Sequence, residues 1–401
     1  MPVEVIGGSF NMYGLTPDTP LPKINRTASL LVLSFLAIIF GAVPAHANAG
    51  TFMMWTGTFH LLFGNAIIGY FEAFLLWRIY QIAIDFGKAT PRLILANYTS
   101  MILGGLGLAI AGAGLKYSLD NALFLLLSMI LVSYLATVAI EWPFYHFSFD
   151  KSKRHKLTSL KASFIVNAVS YAILAVIYAL VGNIGLITAV SHSQVNVKDF
   201  GDDYIVYYIN PNDGNVYMFD AHTQSTALTY RLQSRGNFDR LYATPNDSGS
   251  WDLYAAMKCA KPDSFCNKQI CHAFSRFASR SWRDSVTLAN HARSQFDFLN
   301  TWWNFGEAAD LRKAPSQLKY AYTEFWPGMG LHLSFGSGEK KSIGFETPFG
   351  SILFRNATIL PNDRIVLQMN DDICIYNAKN NRMAKLIRGR GPVVVMKEDI
   401  P

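Results

Sequence analysis

Residues 122–161 read ALFLLLSMILVSYLATVAIEWPFYHFSFDKSKRHKLTSLK. In the first half of that stretch Glu141 alone carries a charge, and the run of apolar residues matches the roughly 20 that a helix needs to cross a hydrocarbon layer. The second half gathers Lys151, Lys153, Arg154, Lys156 and Lys161. Cationic connections of this kind stay on the cytoplasmic face of a membrane. The two pieces together predict a membrane span with its C-terminal end inside.

Similar apolar runs occupy 53–77, 95–115 and 162–187, so we expect an α-helical bundle of four transmembrane helices. Arg78, Lys88 and Arg92 lie between the first two, which puts that connection inside as well. The connection at 116–121 is short, carries one Lys and one Asp, and falls outside. The chain therefore leaves the fourth span outside the cytoplasm. Trp55, Trp77 and Trp142 stand near span ends, as an interfacial aromatic belt does. Upstream, Lys23 and Arg26 precede an apolar stretch at 29–43 and then Ala45-His46-Ala47, the layout of a secretory signal peptide with its cleavage site. If retained, this segment is a fifth helix; its removal leaves the sidedness of the later spans unchanged.

Composition supports this division. The chain is 51% hydrophobic and 16% charged, too apolar for an ordinary soluble protein, and the excess lies before Val190. The lipid bilayer is thus the first expected partner, with the plasma (inner) membrane as the location. The net charge of +7 points to no nucleic acid, because residues 1–190 hold 11 Lys/Arg against 7 Asp/Glu and residues 191–401 hold 24 against 21, with no basic stripe in either part.

Past 190 the pattern changes to short alternating strands punctuated by turn residues. Residues 204–209 and 216–219 flank Asn210-Pro211-Asn212-Asp213-Gly214-Asn215, and 364–369, 373–376, 383–387 and 393–396 repeat the rhythm. The domain reading is a tail with the signal-like or first transmembrane segment at 1–47, a four-helix bundle at 48–190, and a β-rich mixed extracytoplasmic domain at 191–401. A helical insert is expected around 265–311, where Ala, Arg, Ser and Trp are enriched. The cysteines Cys259, Cys266, Cys271 and Cys374 all fall in the outer domain, where two disulfide bonds are possible in any of three pairings.

Several intramembrane polar residues fall at one depth. Glu72 lies near the inner end of its span, Asn97 and Ser100 begin the next, Glu141 ends the third, and Ser163 and Asn167 open the fourth. Helical phase groups Asn65 with Glu72, Tyr134 with Thr137 and Glu141, and Ser163, Asn167, Ser170, Tyr171 and Tyr178 along one stripe. The second span offers Asn97, Ser100, Gly104, Gly107, Ala111 and Gly114 on one side, small residues that allow close helix approach. Glu72, Asn97, Ser100, Glu141 and Asn167 form the candidate cluster. As a metal set, Glu72 and Glu141 could be joined by His146, whereas His60 lies toward the outer side. The competing interpretation is structural, with Asn, Ser and Tyr tying helices together and the acids hydrated or paired with Arg78 or Lys151.

The outer domain has no catalytic signature. Gly336-Ser337-Gly338 lacks the spacing of a serine-nucleophile turn, Arg388-Gly389-Arg390-Gly391-Pro392 lacks the residues of a phosphate loop, and neither names a cofactor. Trp302, Trp303, Phe325 and Trp326 are expected in a core. Two functions remain open. One is a non-enzymatic envelope protein whose outer domain binds a partner protein, polymer or small signal. The other is a membrane-embedded transport, proton-transfer or metal-dependent function centred on Glu72 and Glu141.

Overall fold

The computed structural model describes residues 52–112, 115–153, 155–192, 204–237, 239–245, 251–258, 272–278, 306–312, 316–324 and 330–397. The signal-like segment, Cys259, Cys266, Cys271, Trp302, Trp303, Phe325 and Trp326 lie outside the described residues.

The first rod comprises α1 (Phe52–Phe59), a π-helical turn (His60–Gly64) and α2 (Asn65–Ile79). It is followed by α3 (Phe86–Gly112), α4 (Ala122–Ser148) and α5 (Lys156–Val181). Among the described residues three helices, Met53–Ile79, α4 and α5, are long and apolar enough to cross a membrane, one fewer than the four expected. The fourth, α3, has the length, but its first half carries Lys88, Arg92, Asn97 and Ser100.

Three of the expected spans also change their bounds, the last of them running Lys156–Val181 instead of 162–187 because the chain leaves the helix at Gly182. Asp85 caps α3, its carboxylate and carbonyl accepting from the Lys88 and Ala89 N–H groups, so the helix starts at Phe86 instead of residue 95. Helix α4 continues beyond Trp142 through Pro143 to Ser148. Proline is better tolerated inside helices of an apolar bundle, where neighbouring groups re-satisfy the freed backbone.

The helices turn their apolar side chains outward. Leu61, Leu62, Phe63, Leu103, Leu106, Ile110, Phe124, Leu127, Leu131, Val176 and Leu180 are exposed, while Asn65, Glu72, Asn97, Glu141, Ser159, Ser163, Asn167 and Ser170 are buried. This inverts the pattern of a bundle in water. Close approach comes from a position the sequence did not single out. A Cβ on Gly69 would stand 2.6 Å from the Ile94 Cα, so α2 and α3 touch backbone to backbone there. Gly104 and Gly107 have nothing within 4 Å, and the expected contact face on α3 is not used at those positions.

The two basic connections meet at one end of the bundle. Ile84 bridges Phe149, the Asp150 N–H donates to the Ala83 carbonyl at 3.0 Å, and Arg92 Nη1 donates to the Phe147 carbonyl at 2.6 Å.

At the other end sits the β-rich region. Its largest sheet is a meander of β15 (Phe354–Leu360), β16 (Arg364–Met369), β17 (Asp372–Asn377) and β18 (Arg382–Arg388), edged by the parallel β1 (Ser191–His192) and β9 (Ala309–Asp310). A second sheet pairs β19 (Arg390–Met396) with β2 (Tyr204–Ile209), followed by β3 (Val216–Asp220) and β4 (Ser225–Tyr230), so the last described strand is sewn to the first long one. The remaining sheets are β5 (Arg240–Pro245), β6 (Trp251–Lys258) and β7 (His272–Ala278); β8 (Gly306–Glu307) with β10 (Leu318–Glu324), β11 (Gly330–Phe335) and β12 (Lys340–Ile343); and the hairpin of β13 (Phe345–Thr347) and β14 (Gly350–Ile352).

Within 265–311, where a helical insert is expected, the described residues form strands β7, β8 and β9, and residues 265–271 and 279–305 lie outside the described residues. Pairing of β7 with β6 over six residue pairs outweighs the local Ala and Arg content, because strand formation depends on the partner more than on intrinsic preference. Cys374, one of the four disulfide candidates, is a free thiol, fully buried in the central strand β17.

Bundle and sheets share one core. Tyr117, Leu119, Ala122, Leu186 and Val190 pack with Phe345, Ile352, Phe354 and Met369. Hydrogen bonds fix the orientation: Asn370 Nδ2 to the Tyr117 carbonyl at 2.9 Å, the Leu186 N–H to the Gly344 carbonyl at 2.8 Å, and the Glu346 N–H to the Asn183 carbonyl at 2.7 Å.

Candidate functional site

The predicted polar layer assembles, and it lies deeper than expected. Glu72 is seven residues from the end of α2, Glu141 seven from the end of α4, Ser163 seven from the start of α5, and Asn97 eleven from the start of α3. At 1.5 Å per residue these positions lie about 10 to 16 Å along the axis from that end of the helices. The added distance comes from the helical extensions capped at Asp85 and carried through Pro143.

Each acid is held by side chains from other helices. Asn97 Nδ2 donates to Glu72 Oε2 at 2.7 Å, and the Tyr145 hydroxyl donates to the same oxygen at 3.1 Å. Ser100 donates to Glu141 Oε1 at 2.6 Å. Ser170 stands beside Glu72 and Asn167 beside Glu141, while the Asn167 amide donates to the Ser163 carbonyl at 3.0 Å. Glu72 Oε1, Glu141 Oε2 and Ser170 Oγ are buried with no hydrogen-bond partner. All five residues of the candidate cluster thus come together across α2, α3, α4 and α5, with Asn97 and Ser100, three residues apart on α3, holding Glu72 and Glu141 respectively.

No ion pair among the described residues reaches either acid, so the suggested partners Arg78 and Lys151 do not serve. The metal set built on Glu72, Glu141 and His146 does not form either: among the described residues no three His, Cys, Asp or Glu side chains gather to hold an ion. Helical geometry gives the reason. His146 follows Glu141 by five residues, a turn of about 140° around the helix, which aims it at another face. There His146 Nδ1 lies 3.1 Å from Ser159 Oγ.

Tyr145, by contrast, follows Glu141 by four residues and shares its face. It is fully buried and joins the site, although the sequence reading passed over it. The signal that could have found it was that spacing. Asn65 shares the Glu72 face but its amide is spent elsewhere, donating to the His60 carbonyl at 3.0 Å in its own helix and to Met101 Sδ on α3.

Comparison with protein-family models, with curated proteins and with solved structures found no match for this chain.

Proposed function

We propose that this chain is a multi-pass membrane protein whose four-helix bundle holds an exchangeable proton or cation at Glu72 and Glu141, with the β-rich region docked on the extracytoplasmic end. The outward apolar faces, the basic connections gathered at one end and the polar interior support a membrane setting and this orientation. The observation that carries the functional reading is the carboxyl pair itself: two buried acids from different helices, without countercharge, each keeping one oxygen unbonded. Two bare carboxylates buried in one such interior without countercharge would cost several kcal/mol, so the pair must keep a proton or hold a cation. A group that must be occupied yet has free oxygens is suited to exchange.

Infrared difference spectra of the purified protein test this. Acidification should raise the carbonyl band of a buried protonated carboxyl, and Glu72→Gln or Glu141→Gln should remove it while the protein keeps its melting temperature. Identical spectra from parent and Gln variants would reduce the acids to structural ties.

A second reading, that the sheet region binds a small signal or polymer, is favoured by an open cavity of about 650 Å³ lined by Gln317, Phe335, Ser337, Glu339, Lys341 and Asn381. Lys341 is fixed at its wall by hydrogen bonds to the Tyr376 hydroxyl and Asn381.

A further inference from the structure

Polar side chains continue from the acid layer toward both ends of the bundle. Toward the sheets, Thr137 lies four residues from Glu141, about 6 Å along the axis, and its hydroxyl is 2.8 Å from that of Tyr171. The ring of Tyr134 packs 5.3 Å from that of Tyr171. Asn65 is seven residues, about 10 Å, above Glu72, and Tyr178 eight residues, about 12 Å, above Ser170. The Tyr178 hydroxyl lies 2.6 Å from His60 Nδ1.

Toward the basic end, Asn167 reaches Ser163, and Ser159 follows four residues further, about 6 Å. The Ser159 hydroxyl accepts from Trp142 Nε1 at 3.1 Å and meets His146 Nδ1 at the same distance. The longest step along α5, from Tyr171 to Tyr178, is seven residues or about 10 Å, with Asn65 of α2 at a level between them; a chain of waters would have to bridge it.

The upper station is built with care. His60 opens the π-helical turn, and a Cβ on Gly64 would come within 2.8 Å of His60 Cδ2, so glycine lets the imidazole lie back along its helix beside α5. Single π turns inside α-helices occur often at functional sites. A histidine therefore stands near each end of the bundle, each hydrogen-bonded to a hydroxyl, with the two acids between them.

We propose that the Glu72–Glu141 pair is the midpoint of a proton path across the bundle, with His60–Tyr178 as its station toward the sheet region and His146–Ser159 as its station toward the basic end. This rests on the proton reading of the acid pair and extends it. A proton arriving on one ring nitrogen of His60 releases the proton of the other nitrogen to the Tyr178 oxygen, whose own proton moves on toward the acids. One proton enters and one leaves, His60 ends with its proton on the opposite ring nitrogen, and a return shift of that proton with rotation of the Tyr178 hydroxyl restores both side chains before the next transit. No oxidant, reductant or metal takes part.

The test is proton flux into proteoliposomes holding a pH-sensitive dye, driven by a potassium diffusion potential. The parent should exceed empty vesicles, and Tyr178→Phe, His60→Gln and His146→Gln should each slow the flux at least about tenfold, the scale of losing one positioned proton-transfer group. The same variants should keep the infrared carboxyl band and the parental melting temperature, which separates loss of the path from loss of the fold. Tyr178→Phe keeps the ring and serves if either histidine variant folds poorly. Flux in the parent no faster than in empty vesicles, or unchanged flux in Tyr178→Phe and both histidine variants, would overturn the path. In either case an intact, Gln-sensitive carboxyl band would leave the acid site standing.

Discussion

Asn97 and Tyr145 converge on a single oxygen of Glu72 from two different helices, while Ser100 claims one oxygen of Glu141. These contacts decide what the acids can do, because they leave each carboxyl half-satisfied. The residues were legible in the sequence wherever helical phase and depth suffice, as for Glu72, Asn97, Ser100, Glu141 and Asn167. Phase applied too loosely placed His146 with the acids, and applied too sparingly it left out Tyr145. Burial also decides the chemistry of Cys374. The sheet around it pushes its thiol well above the ordinary value, first by desolvation and then through Asp372. An alkylating reagent should therefore spare Cys374 in the folded protein and label it after denaturation; labelling of the native protein at the same rate would contradict its burial. The sign for stability follows from the raised value. The unfolded thiol ionises first, so stability is whole below about pH 8.5 and declines as the pH rises above it.

At the scale of elements, the apolar runs revealed the helices but not where they end. Capping at Asp85 and continuation through Pro143 each add turns that an apolar count omits, and those turns set the acid layer further from the helix ends. Close helix approach was misplaced for a related reason. A stripe of small residues permits contact, but the facing helix decides whether contact occurs, and α2 meets α3 at Gly69 instead of at Gly104 or Gly107. Gly69→Val would drive a side chain into the Ile94 backbone and should destabilise the bundle by about 1 to 3 kcal/mol in detergent melting. Gly104→Ala, facing open space, should change stability by no more than about 0.5 kcal/mol. Equal effects at the two sites would refute this packing. Of the β-rich region, strands β2, β3 and β16 to β19 were recognisable by alternation and turn residues, whereas the others were not; β7 shows why, since its partner β6 supplies what its own composition lacks.

For the whole molecule, the docking of sheets on bundle is what no local pattern announces. Asn370 shows why: it adopts a left-handed turn conformation, accepts the Leu353 N–H and donates to the Tyr117 carbonyl, serving one hairpin and a distant helix connection together. Gly182 is equally constrained, since a Cβ there would stand 2.6 Å from the Glu346 carbonyl oxygen. The sheet region thus sits at one end of the bundle and the basic connections at the other. In the proposed function a membrane lies between these two ends, with the acid pair inside it. Reporter fusions measure this most directly. An enzyme active only outside the cytoplasm should work when fused after Pro401, and one active only inside should work when placed in the 151–161 connection. Activity of both reporters on the same side of the membrane, or the reverse pattern, would contradict the account.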